Sequence, residues 1–140
     1  MPHIQNACDG VLTNYEVTRL LAEQKRKREE EEAALPLPGA RRSTQSTAWS
    51  AQQSVAQITE QVLTYLSKST TNAQTREGID AFLAEAPKFG LTRTEMLALV
   101  NSPPRSAVEI SLLVEDVEER LHTKEERSSL LALCQRTLFG

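Results

Sequence analysis

Cys8, Cys134, His3 and His122 are the side chains best suited to hold a transition metal, and Glu115, Asp116, Glu118 and Glu119 form the densest group of carboxylates. Neither set has the arrangement its chemistry needs. A zinc site pairs Cys or His ligands a few residues apart, and these four are scattered singly. A carboxylate site for a divalent cation or for acid–base work needs side chains that converge in a cleft, whereas neighbouring helical positions diverge around the axis. The acidic run therefore reads as a solvated face, with a protein-docking face as its functional alternative. Residues 109 to 126 carry seven acids against Arg120 and Lys124, which argues against nucleic-acid contact there. Cys134 lies on an apolar helical stripe and is assigned to the core. His122 falls at a helix end, where a cation is favourable. Only 5 glycines are present and none forms a phosphate-cradling run before a helix. No catalytic, cofactor-binding or metal-ligating residue is assigned, and the chain does not read as an enzyme.

The totals narrow the class. A chain of 140 residues holds one modest domain and an appendage. Lys and Arg total 16 against 19 Asp and Glu, so no basic footprint of a free nucleic-acid binder appears. Frequent Leu, Ala, Glu and Arg, with 4% aromatics, favour helices over sheets. Two distant cysteines suit a reduced, intracellular protein. No apolar run reaches the ~18 residues that a bilayer span requires, and Met1–Gly10 lacks a secretory pattern. The compartment expected is cytosol or nucleus.

Three zones must position whatever the chain presents. Residues 1–24 end in an amphipathic helix opened by a capping box at Thr13–Glu16, with Leu12 and Val17 as its hydrophobic staple. Val17, Leu20 and Leu21 share one face, and Val11 and Leu12 are candidates for an extended segment paired with another strand. Residues 25–48 read as a linker. Lys25–Arg28 followed by Glu29–Glu32 would form i,i+4 ion pairs if the helix continued, and Pro36, Pro38 and Gly39 stop it. Residues 33 to 47 are expected to be mobile. Residues 49–140 read as a bundle of five or six helices. Its apolar stripes include Val55, Ile58, Val62, Tyr65 and Leu66, then Ile79, Phe82, Leu83, Ala86 and Phe89. Further capping boxes stand at Thr92–Glu95, Ser106–Glu109 and Thr123–Glu126. Trp49 is assigned to packing at the start of the second helix.

A first helix of this length is marginal in water, since isolated helices under ~12–15 residues rarely persist. A linker of ~15–20 residues spans ~20–25 Å and does not force it onto its own domain. Val11, Leu12, Tyr15, Val17, Leu20 and Leu21 need a surface to cover them, and the linker permits that surface to lie on a second protein. The turn from Asn101 to Ala107, with Pro103 and Pro104, is a weaker second contact candidate.

Certain stretches resemble a known family. Val11-Leu12-Thr13-Asn14-Tyr15-Glu16-Val17 is similar to the N-terminal signature of the small helical stalk subunits of eukaryotic RNA polymerase III. Leu91–Asn101, continued by Pro104 and Ala107–Ile110, is similar to a second block of that family, and Val114–Leu121 to a third. The family is related to the polymerase II helical stalk subunit and to its counterpart in archaeal RNA polymerase. It is also known as calcitonin gene-related peptide receptor component protein. The resemblance implies an all-α fold: an N-terminal strand-and-helix docking segment and a C-terminal bundle like the helicase-and-RNase-D C-terminal (HRDC) domain. It implies as partners the larger OB-type stalk subunit, the polymerase III core and initiation factors acting at transfer RNA and 5S ribosomal RNA genes. It implies a nuclear location, no cofactor, no membrane and no specific nucleic-acid contact by this chain. Two rival readings are a nucleic-acid-binding helical domain and a signalling adaptor. The first is disfavoured by 9 Lys and Arg against 12 Asp and Glu in residues 49–140, the second by the lack of a lipidation motif or basic amphipathic face.

Overall fold

The computed structural model describes residues 10–34 and 46–139, with side chains from residue 51 onward in the second range. Among these residues every regular element is helical. Helix α1 spans Asn14–Ala34 and α2 spans Ser46–Ser67, followed by a 3₁₀ turn at Thr70–Ala73. Helix α3 (Arg76–Glu85) leads into a second 3₁₀ turn at Ala86–Phe89. Then come α4 (Arg93–Asn101), α5 (Ala107–Leu113), the single turn α6 (Val117–Arg120) and α7 (Lys124–Leu138).

Local chemistry sets most of these boundaries. The boxes at Thr92–Glu95 and Thr123–Glu126 are complete: each Thr hydroxyl accepts from the Glu amide, and each Glu carboxylate accepts from the Thr amide. At Ser106 the box is shifted by one residue. Its hydroxyl accepts from the Glu109 amide at 3.4 Å, but the Glu109 carboxylate takes the Arg105 amide instead. Helix α3 has a cap that the periodicity did not reveal, with Thr75 Oγ1 accepting from the Gly78 amide at 3.1 Å. Gly90, with φ of 70°, closes the second 3₁₀ turn in the left-handed conformation that glycine tolerates best.

The core belongs to α3–α7. Phe82, Leu99, Ile110, Leu130 and Leu138 are fully buried, and Cys134 lies among them as a free thiol. Burial pushes that thiol's pKa up to about 12, so it stays protonated. Helices α3 and α7 cross so closely that a Cβ on Gly78 would stand 2.3 Å from the Thr137 carbonyl oxygen.

Two expectations are corrected here. Helix α1 is not detached: it packs along α2 and touches α4 and the Thr70–Ala73 turn. Its Asn14 amide donates to Asn101 Oδ1 at 2.7 Å, while Gln74, beyond that turn, donates its side-chain amide to the Val100 carbonyl at 2.7 Å. The start of α1 thus lies beside the end of α2, which makes the two an antiparallel hairpin. An amphipathic helix takes most of its stability from packing, and α2 offers α1 a face within the chain. The second correction concerns the hairpin's extent. Residues 25–34, read as the start of the linker, continue α1, held by Lys25–Glu29 and Arg26–Glu30 pairs of the i,i+4 kind. Much of the segment expected to be mobile, and the Cys8 and His3 positions, lie outside the described residues, as do the Trp49 side chain and its packing.

Candidate partner-binding surface

The residues expected to dock divide by depth. Val11 and Leu12, just ahead of α1, are 66% and 46% exposed, and Leu20 on the helix is 45% exposed. Tyr15, Val17 and Leu21 are half-buried, and Tyr15 packs against the core of α3–α7. No residue of α1 is fully buried. The hairpin therefore shelters one flank of the apolar face and leaves Leu20 and the entry segment open. Val11 and Leu12 stand outside any regular element.

Thr13 anchors the entry. It is buried, accepts from the Glu16 amide at 3.1 Å and donates its hydroxyl proton to Glu16 Oε1 at 3.3 Å. The capping box forms by half, because the Glu16 carboxylate meets the hydroxyl rather than the Thr13 amide. The neighbouring amide of Asn14 is satisfied from 87 positions away by Asn101. Asn101, expected in an exposed contact turn, instead caps α1 with its side chain. Its neighbours correct that expectation further. Pro104 is fully buried and Pro103 half-buried, so Pro104 shapes the turn from inside and presents no surface.

A second joint lies at Glu95, whose residue is 8% exposed. Arg120 reaches it with two guanidinium nitrogens, one of them 2.9 Å from Oε2, and also donates to the carbonyls of Gly90 and Glu115. The Glu115 amide donates to the same carboxylate at 3.4 Å. The Arg120 hydrogen bond, aided by the Thr92 and Glu115 amides, outweighs the burial penalty and lowers the Glu95 pKa to about 2. The remaining acids, Glu115, Asp116, Glu118 and Glu119, are exposed, as a solvated face requires. Among the described residues no three His, Cys, Asp or Glu side chains come together to hold a metal ion. No described helix is long and apolar enough to cross a membrane.

The geometry ties the three resemblance blocks together in pairs. Asn14 of the first block meets Asn101 of the second, and Glu95 of the second meets Arg120 of the third. A family model described as RNA polymerase Rpb4 matches residues 11–138, which takes in all three blocks. The chain belongs to the RNA polymerase Rpb4 family. That assignment bears out the resemblance drawn from the three blocks, and the all-α class it implied agrees with the fold. This Rpb4-family chain is also similar to DNA-directed RNA polymerase III subunit rpc9 of Dictyostelium discoideum. The two are 28% identical over 131 residues, covering 89% of this chain and 84% of the relative.

Proposed function

We propose that the chain is the helical stalk subunit of a nuclear RNA polymerase III, without an active site of its own. The likeness to rpc9 along nearly the whole of both chains carries this reading. In it, Val11, Leu12 and Leu20 form the exposed contact with the larger OB-type stalk subunit, while the half-buried Val17 and Leu21, and Tyr15 against the α3–α7 core, brace them from within. Pro103 remains a lesser candidate contact. Residues 49–140 serve as an HRDC-like domain and 1–24 as the docking segment. The pair protrudes from the polymerase core and helps recruit initiation factors at transfer RNA and 5S ribosomal RNA genes. Buried apolar anchors dominate interface energies, so a small number of exposed large side chains suffices to specify the contact.

Affinity purification of the tagged chain from nuclear extract at high salt tests the reading. Polymerase III subunits, led by the OB-type stalk subunit, are expected to dominate the mass spectrum. Recovery of polymerase II subunits or membrane receptors in their place would contradict it.

A further inference from the structure

Ser102 differs from the hydroxyl residues near it in sequence. Thr75, Thr92, Ser106 and Thr123 open helices, and each of their hydroxyls is engaged as a cap. Ser102 closes α4 instead. Its amide donates to the Ala98 carbonyl, while its side chain is exposed and makes no hydrogen bond among the described residues. Pro103, Pro104 and Arg105 follow it. The chain holds 6 prolines, preceded by Met1, Leu35, Leu37, Ala86, Ser102 and Pro103, so Ser102 alone of the Ser and Thr residues has proline next.

The backbone at this point suits presentation to an enzyme that grips an extended acceptor. Residues 102–106 lie between α4 and α5, outside any helix. Proline fixes its own φ and drives the residue before it out of the helical region. Ser102, with φ of −132° and ψ of 73°, and Ser106, with φ of −142° and ψ of 163°, show that opened course at both ends. In a polyproline-like run three residues complete a turn, so Ser102 and Arg105 share a side and Pro104 lies on another. Burial agrees: Ser102 and Arg105 are exposed, and Pro104 is fully buried. Pro104 thus pins the turn to the domain while the hydroxyl and the cation are presented outward. The Arg105 guanidinium rests over the Phe139 ring, 5.4 Å from its centre, an exposed contact that an acidic pocket can displace.

We propose that Ser102 is a phosphorylation site for a proline-directed serine/threonine kinase. Proline after the acceptor suits a groove that leaves that backbone position without a hydrogen-bond partner, since proline has no N–H to lose. Arginine three residues on pairs with an acidic or phosphate-bearing pocket of the same kinase. In the transfer, Ser102 Oγ bonds to the γ-phosphorus of ATP as the bond to the β–γ bridging oxygen breaks. ADP leaves with that electron pair, and the hydroxyl proton passes to the kinase's catalytic aspartate. The product is an electrostatic switch. Arg105 is the only charged side chain among residues 101–107. A phosphate adding roughly −2 therefore reverses the sign of the turn's charge. The site belongs to the free chain and needs no stalk partner.

The test is to incubate the full chain with ATP and a purified cyclin-dependent kinase, a proline-directed enzyme, and to map the product by fragmentation mass spectrometry. The native chain should take up one phosphate, on Ser102. Ser102→Ala should abolish uptake. Arg105→Ala should lower kcat/KM roughly tenfold with its circular dichroism unchanged. Thr92, Ser106 and Thr123, which lack a following proline, should stay unmodified. Uptake by the heat-unfolded chain alone would mean that the folded turn is closed to the kinase, and would overturn the proposal. No uptake by either form, phosphate on other hydroxyls at an equal rate in Ser102→Ala, or an undiminished rate for Arg105→Ala would overturn it as well.

Discussion

At Glu95 two demands meet in one carboxylate. It completes the cap of α4 and it receives Arg120 from α6. Arg120→Ala would leave a mostly buried carboxylate without its counter-charge and two carbonyls without a donor. Urea unfolding at pH 7 would show that loss as a lowered midpoint. The pH dependence has a definite sign. The folded pKa, about 2, lies below the ordinary 4.5, so the contribution is complete above about pH 4.5 and is lost as pH falls through 2. Glu95→Gln should therefore be less stable than the unmutated chain at pH 7, and the gap should narrow steadily between pH 4.5 and 2. At Asn101 the account is smaller. Asn101→Ala removes the acceptor from the α1 start, worth ~1 kcal/mol. Amides at the start of α1 should exchange ~5-fold faster, while those of α7 keep their rates.

At the scale of elements, the helix starts were the most legible part of the chain, because a capping box is written within four consecutive residues. Thr92 and Thr123 opened α4 and α7 as their boxes required. What lay across the chain was not legible. Asn101 reads as an exposed turn residue until the fold brings Asn14 to it, and nothing local to Arg120 names Glu95 as its partner. Helix α2 shows the limit most clearly: periodicity groups Ile58 and Tyr65 on a face but does not say what covers that face. Gly78 is a related case. Helix propensity alone predicts that Gly78→Ala stabilises α3 by ~1 kcal/mol. The Thr137 carbonyl lies 2.3 Å from where the new methyl would stand, and that atom is backbone of α7. Overpacking of this kind costs ~1–3 kcal/mol, so the substitution should lower the thermal midpoint despite the better propensity.

At the scale of the molecule, a helical domain built by α3–α7 carries a two-helix arm joined to it by polar contacts and by the packing of Tyr15. Thr13, the Asn14–Asn101 bond and the Gln74–Val100 bond hold the arm's base. The residues expected to dock from a free N-terminal helix stand instead on this arm, with Tyr15 committed to the domain and Leu20 left open. An open face on a helix already held in place binds at lower entropic cost than a helix that must fold on its partner. The central claim is that Leu20 and its neighbours meet the larger stalk subunit. Native mass spectrometry of the two chains co-expressed tests it most directly, with Leu20→Asp beside the unmutated form. The account predicts a one-to-one complex for the unmutated pair and separate monomers for the variant, whose own helical spectrum is unaltered. A one-to-one complex that survives Leu20→Asp intact would contradict it.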